Sequence, residues 1–126
     1  MDKKKQRVER TRNNKQWTEA RYRQFITTAL RRASMRWGPI NAVKRNARVK
    51  RNTYKCNVCG GLFPNKDVVV DHIKPAVDPI KGFESWDIFI ERLLCEEDNL
   101  QLICKECHST KSDKERKLRQ YGKSKV

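Results

Sequence analysis

Two pairs of cysteines constrain this chain more than any other feature of its sequence. Cys56 pairs with Cys59 and Cys104 with Cys107, each as C-x-x-C, and 44 residues separate the two pairs. Two such pairs deliver four thiolates, which suit the tetrahedral coordination of zinc. Glycines follow the first pair at once and supply the backbone freedom that a turn around an ion requires. The spacing therefore predicts a structural Zn²⁺ site.

A redox role and unligated buried thiols are the alternatives for these cysteines. The segment from Met1 to Arg10 is charged where a secretory signal would be apolar, so disulfides are disfavoured. Cys95 falls on the apolar face of a predicted helix, and we interpret it as a packed small residue rather than a ligand. No apolar run approaches the roughly 20 residues of a membrane span. We therefore expect a cytoplasmic protein with no membrane partner.

The positive charge is concentrated in the first part of the chain. Residues 1–55 hold 18 Lys or Arg against 3 Asp or Glu, whereas residues 56–126 hold 12 of each sign. A polyanion is the natural partner of such a basic segment, because each neutralised phosphate releases condensed counterions. An acidic membrane would attract the same charge, but the sequence carries no lipidation signal. The distribution therefore predicts binding to nucleic acid.

Composition divides this basic region into two segments. At the other end of the chain, residues 122–126 are predicted to form a short tail. Residues 1–16 are almost all charged or amide-bearing, which predicts a disordered arm. Residues 17–52 place apolar residues at helical spacing, which predicts a basic helical extension whose first helix stops at Gly38-Pro39. A solvated helix surface is the simpler interpretation of its basic residues, but we expect the following to bind DNA: Arg21, Arg31, Arg32, Lys44, Arg45, Arg48, Lys50 and Arg51.

The electrically balanced module, residues 53–121, follows a different pattern. A β-branched run over residues 67–73 predicts a strand, and a stretch with proline and glycine then predicts a loop. Apolar residues over 86–95 predict a short helix, and residues 100–103 a second strand. A charged terminal helix is expected over residues 107–121. The predicted fold class is α+β, stabilised by the zinc site.

Each of the two histidines in the chain stands beside a residue with which it could act. His72 follows Asp71 at the predicted strand end, and His108 follows the zinc ligand Cys107. Adjacent helical residues diverge by about 100°, so His108 can face away from the zinc. Carboxylate and imidazole brought together form an open site for a divalent ion. The structural alternatives are a turn-forming Asp71, a hydrogen-bonded His72, and His108 as an alternative zinc ligand.

A longer string of residues resembles a known family. The string comprises Cys56-x-x-Cys59, Asp71-His72-Ile73-x-Pro75, and Asn99-Leu100-x-Leu102-x-Cys104-x-x-Cys107-His108-x-x-Lys111. In this order the motifs resemble the HNH endonucleases in their four-cysteine zinc form, over roughly residues 54–117. The resemblance implies a ββα-metal fold that hydrolyses phosphodiester bonds with one divalent ion. It also implies products with 5′-phosphate and 3′-hydroxyl ends.

The resemblance also implies a role for each matching residue. His72 matches the general base, while Asp71 and His108 match the ligands of the catalytic metal. Asn99 matches the central asparagine, which fixes a loop and orients the base, although in some members an asparagine of this region binds metal. Aspartate at position 71, where some members have histidine, favours Mg²⁺ or Mn²⁺. Lys111, one helical turn after His108, could reach a phosphate or remain an exposed helix lysine.

The sequence therefore predicts a metal-dependent endonuclease that cuts double-stranded DNA. The alternative is a zinc-ribbon nucleic-acid-binding protein without catalysis, such as a regulator or packaging accessory. The Asp71-His72 pair favours the nuclease, because a binding protein has no need of it. Homing, restriction and phage DNA processing all fit a small enzyme of this type, and the basic arm favours homing or phage service in a bacterial host. Symmetric cleavage of both strands would require a two-fold dimer.

Overall fold

The structure is a computed structural model that describes residues 7–124. It consists of two compact units, of which the first ends at Ala33 and the second begins at Ser34. Helices and short antiparallel sheets occur together, as the α+β prediction requires. Among the described residues, no helix has both the length and the apolar character needed to cross a membrane.

The first unit opens with a small hairpin. Strand β1 (Arg10–Arg12) pairs antiparallel with β2 (Trp17–Thr18), and the turn between them holds three residues at positive φ, including two asparagines. Asparagine tolerates this left-handed conformation better than most residues. The hairpin differs from the disorder predicted for residues 1–16, although residues 1–6 of that arm lie outside the described residues.

The hairpin is tied to the helix that follows it, α1 (Glu19–Ser34). Thr18 caps this helix, since its hydroxyl accepts a hydrogen bond from the Arg21 backbone N–H at 3.1 Å. The Arg12 guanidinium donates to Glu19 at 2.8 Å and lies 4.4 Å from the ring centroid of Tyr22. These contacts are made by polar and charged groups, which is why a composition that predicts disorder is compatible with local order.

The second unit begins with another helix, α2 (Gly38–Ala47). Pro39 lies in its first turn, where a missing N–H costs no hydrogen bond. The Gly38-Pro39 pair, predicted to stop the first helix, therefore also begins the second one. Beyond α2 the chain forms strands, the first of which lies inside the helical extension predicted over residues 17–52. The antiparallel sheet consists of β3 (Arg48–Lys50), β4 (Thr53–Lys55) and β5 (Leu62–Phe63).

A second antiparallel pair forms the centre of this unit. A 3-10 turn (Asn65–Asp67) leads into β6 (Val68–His72), and α3 (Trp86–Leu93) lies in the connection to the next strand. A further 3-10 turn (Glu97–Asn99) precedes β7 (Leu100–Cys104), which continues into α4 (Lys105–Ser124). This is the predicted order of strand, loop with helix, strand and helix. Helix α3 ends before Cys95, so that residue lies beyond the helix predicted to contain it.

The core of the second unit lies around these two strands. Phe89 and Leu93 of α3 are buried with Leu102 and Ile103 of β7. The rings of Phe83, Trp86 and Phe89 pack against one another, with centroid distances of 4.8 to 6.2 Å. Trp37 donates its indole N–H to the Cys95 carbonyl at 2.6 Å, which joins the start of α2 to the segment after α3.

We expect Leu102→Ala to destabilise the second unit by about 2–5 kcal/mol, because it leaves a cavity in a closely packed core. The Leu102 side chain is only 2% exposed. The matched control is Leu62→Ala, since Leu62 is 55% exposed and should change stability by about 0.5 kcal/mol or less. Urea unfolding of both variants in the presence of Zn²⁺ measures the difference. Equal losses would contradict this assignment of the core.

Candidate functional site

The four paired cysteines converge at one point in the second unit. Their sulfurs all lie within 4.8 Å of one another, and the Cys59 and Cys104 sulfurs are 4.0 Å apart. Four sulfurs around Zn²⁺, with Zn–S bonds of about 2.3 Å, would be about 3.8 Å apart. The observed distances are close to that value. The cluster can therefore hold a metal ion such as zinc.

Local backbone structure brings the cysteines together. The first pair follows β4 in a turn where the Gly60 N–H donates to the Cys56 carbonyl at 3.0 Å and Gly60 adopts φ +74°. A side chain on Gly61 would clash with Phe63, since its Cβ would lie 2.8 Å from the ring. The second pair joins β7 to the first turn of α4. The cluster thus connects a turn, a strand and a helix.

The close packing of the four thiols changes their pKa values. Burial opposes ionisation of Cys56, but backbone N–H groups of Cys59, Cys104 and Val58 offset it and lower its pKa to about 6. The pKa of Cys107 rises to about 12, first through its hydrogen bond with the Cys104 sulfur and then through desolvation. A divalent ion bound between the four sulfurs would favour the thiolate form of every cysteine and so lower all four pKa values.

A second group of polar residues lies between β6 and α4. The Asp71 Oδ1 atom is 4.0 Å from His108 Nε2, and the Asp71 side chain is only 13% exposed. Octahedral Mg²⁺ with bonds of about 2.1 Å would separate two ligand atoms by about 3.0 Å if they are adjacent and about 4.2 Å if opposite. The structure therefore brings the carboxylate and the imidazole together, with their nearest atoms at a separation between these two values.

Lys111 occupies the other side of this carboxylate. Its ammonium group lies 2.7 Å from Asp71 Oδ2 and 3.3 Å from Glu115 Oε1, and it also donates to the His72 carbonyl. The sequence left two interpretations for Lys111, a phosphate contact or an exposed helix lysine. The structure instead places it in an ion pair with the predicted metal ligand.

His72 lies next to Asp71 but is directed elsewhere. Its Nε2 atom is 2.7 Å from the carbonyl oxygen of Leu93, at the end of α3. Successive strand residues point to opposite faces, which explains why Asp71 contacts α4 while His72 contacts α3. A carbonyl oxygen can only accept, so Nε2 carries the proton in this hydrogen bond. In a neutral ring, Nδ1 is then the nitrogen with the lone pair.

Asn99 connects the start of β7 to the loop that leaves β6. Its side-chain oxygen accepts from the Lys74 N–H at 2.9 Å, and its amide donates to the Lys74 carbonyl at 3.1 Å. The Asn99 carbonyl also accepts from the Ile73 N–H at 2.8 Å. Three hydrogen bonds thus hold the chain directly after His72 in place.

The residues predicted to bind DNA fall into two groups, one in each unit. In the first unit, Arg21 and Arg32 line one groove of α1, and the Arg21 guanidinium lies 4.6 Å from the Trp17 ring centroid. Arg31, also in α1, is exposed. In the second unit, Lys44 approaches the Tyr54 ring at 5.7 Å. The remaining predicted residues are exposed at the end of α2 or in the β3–β4 hairpin: Arg45, Arg48, Lys50 and Arg51.

Sequence reasoning missed two polar residues at this site. Gln101 donates to Asp71 Oδ2 at 3.2 Å, and Asn57 donates to Gln101 at 3.1 Å. Gln101 lies directly opposite Asp71 in the β6–β7 register. A confident register between the two predicted strands would have identified Gln101, but no local motif marks it.

A scan against protein-family models, a search of curated proteins and a search of solved structures each found no match for this chain.

We expect Cys56→Ser and Cys107→Ser to abolish zinc binding and to unfold the second unit, because folding and ion binding are coupled in a four-thiolate site. Cys95→Ser is the matched control. Cys95 stands outside the cluster of four sulfurs, so this variant should retain about one zinc per chain. Zinc content by atomic absorption and folding by circular dichroism give the result. If Cys56→Ser and Cys107→Ser kept their zinc and Cys95→Ser lost it, the assignment of the zinc ligands would be wrong.

Proposed function

We propose that this chain is a metal-dependent DNA endonuclease of the HNH type. The observation that carries the proposal is the 4.0 Å separation of Asp71 Oδ1 and His108 Nε2. The two residues lie on β6 and α4, and the cysteine cluster holds the start of α4 against the adjacent strand β7. In this proposal the cluster holds structural Zn²⁺, while Asp71 and His108 hold Mg²⁺ or Mn²⁺.

The proposed reaction is hydrolysis of a phosphodiester bond. When bound, the divalent ion would stabilise negative charge that develops on the phosphate and the leaving oxygen. His72 would accept a proton from the attacking water at Nδ1, since its Nε2 donates to the Leu93 carbonyl. The products would carry 5′-phosphate and 3′-hydroxyl ends.

Asn99 would act as a positioning residue in this scheme. Its paired hydrogen bonds to Lys74 are 2.9 and 3.1 Å long, and they fix the backbone two residues after the proposed base. A base that is held in one orientation need not be ordered again in each turnover. Asn99 would therefore contribute through the placement of His72 rather than by direct contact with the reacting atoms.

Charge supports DNA as the substrate. Residues 34–66 contain eight Lys or Arg and no Asp or Glu, and the β3–β4 hairpin exposes Arg48, Lys50 and Arg51. A two-stranded ribbon fits the major groove of DNA, and basic side chains on it can contact phosphates. The exposed arginines of α1 add a second basic surface in the first unit.

A nucleic-acid-binding protein without catalysis is the second candidate. The observation that favours it is the ion pair of 2.7 Å between Lys111 and Asp71, which gives the carboxylate a counterion from the chain itself. In that case the Asp71–Lys111 pair would be structural, and only the basic surfaces would have a function. Metal-dependent cleavage discriminates between the two candidates.

We expect the protein to nick or linearise supercoiled plasmid DNA in Mg²⁺ or Mn²⁺, and His72→Ala to lower the rate by about 10²- to 10⁴-fold through loss of the base. Gel electrophoresis measures the rate, and a filter-binding assay measures DNA affinity. The affinity should be unchanged in His72→Ala and in Asp71→Ala.

His72→Gln is the matched control for shape, because it keeps a polar side chain but cannot act as a base at neutral pH. It should be as inactive as His72→Ala. Cleavage by either variant at the wild-type rate would contradict the role of His72. DNA binding without cleavage by the wild-type protein in any divalent ion would support the second candidate.

We also expect the hairpin to contribute to the salt dependence of DNA binding. The double variant Lys50→Ala/Arg51→Ala should reduce the slope of log K against log salt by about 1.8, since each lost phosphate contact contributes about 0.9. The matched control is Lys117→Ala/Arg119→Ala, which removes the same charge from exposed positions of α4. Fluorescence anisotropy at several salt concentrations measures the slopes. Equal slopes for the two variants would show that the hairpin does not contact phosphates.

A further inference from the structure

Two side-chain amides connect the first cysteine turn to the Asp71 carboxylate. Asn57 lies between Cys56 and Cys59, and its Nδ2 donates to Gln101 Oε1 at 3.1 Å. Gln101 Nε2 then donates to Asp71 Oδ2 at 3.2 Å. The Asn57 backbone is itself held, because its N–H donates to the Leu102 carbonyl at 2.8 Å.

Donors and acceptors match in both of the hydrogen bonds that connect Asn57, Gln101 and Asp71. An ionised carboxylate only accepts hydrogen bonds, so Gln101 must direct its NH₂ group towards Asp71. Its oxygen is then directed away and needs a donor. The NH₂ group of Asn57 supplies that donor. Gln101 is therefore held in one orientation from both ends.

Gln101 and Lys111 donate to one Asp71 oxygen, and His108 lies near the other. Oδ2 accepts from Gln101 and from the Lys111 ammonium. Oδ1 is the oxygen that lies 4.0 Å from His108 Nε2. Two donors on one oxygen restrict rotation of the carboxylate, and they leave the other oxygen directed towards the imidazole.

We propose that Gln101, held by Asn57, is a positioning residue that orients the Asp71 carboxylate for the divalent ion. This inference rests on the proposed function, since it assigns Gln101 and Asn57 to the same metal site. It also gives the cysteine turn a second role, because the turn that carries two zinc ligands carries the residue that orients Gln101. Hydrogen bonds to metal ligands commonly control both their orientation and their affinity.

The test is the affinity for Mn²⁺, measured by electron paramagnetic resonance on the zinc-loaded full chain without DNA. Gln101→Met keeps the length of the side chain but removes both hydrogen-bonding ends, and it should weaken Mn²⁺ binding by about 10-fold or more. Asn57→Ala should weaken it less, since Gln101 remains. Asn46→Ala is the matched control, because Asn46 lines the same cavity of about 740 Å³ as both amides but donates to Glu97.

A double variant distinguishes positioning from a general structural effect. If Asn57 acts only through Gln101, then Asn57→Ala should have no further effect on Mn²⁺ affinity in the Gln101→Met background. Additive effects would overturn the connection between the two amides. Zinc content and the urea midpoint of each variant should match the wild type, and a loss of stability without weaker Mn²⁺ binding would overturn the positioning role.

The outcome for the wild-type protein separates the two proposals. If the zinc-loaded wild type binds no Mn²⁺, the proposed function fails and the inference fails with it. If the wild type binds Mn²⁺ and Gln101→Met binds it equally well, only the role of Gln101 is wrong. Weaker binding by Gln101→Met but not by Asn46→Ala supports both.

Discussion

The convergence of four sulfurs within 4.8 Å is the constraint on which the rest of the second unit depends. A chain with 37% hydrophobic residues has little apolar surface to bury, and the buried cluster contains Cys56 and Cys104 beside Ile103. The sulfurs are therefore part of the core as well as a candidate ion site. Because Cys104 ends β7 and Cys107 lies in the first turn of α4, the cluster connects the start of the helix to the strand and to the first cysteine turn. His108 is the next residue of that turn, and its Nε2 atom lies 4.0 Å from Asp71 of β6.

The end of β6 places two neighbouring residues in different surroundings. Asp71 faces α4, where an imidazole and an ammonium group approach it, whereas His72 faces the end of α3 and a backbone carbonyl. Strand geometry alone produces this division, because adjacent side chains alternate between faces. Asn99 then holds the backbone that follows. A short strand end can thus separate a carboxylate from an imidazole without any insertion in the chain.

Apolar patterns in the sequence were sufficient to predict β6, α3 and β7, which bury apolar residues, and the charged composition of the last segment was sufficient to predict α4. These signals were insufficient for the hairpin of residues 10–18 and for β3 and β4, which are held by turn geometry and polar contacts among basic residues. The cysteine cluster was predictable because ligand spacing is local. The contact between Gln101 and Asp71 was not, because it depends on the register between strands 30 positions apart.

The charge around Asp71 determines how this site would respond to a divalent ion. Lys111 neutralises the carboxylate from one side, and Glu115 shares that ammonium group at 3.3 Å. An ion bound at Asp71 Oδ1 would not need to displace Lys111, because the lysine ammonium group pairs with Asp71 Oδ2. The positive charge of Lys111 would still weaken binding of the ion, and the Glu115 carboxylate would offset part of that repulsion.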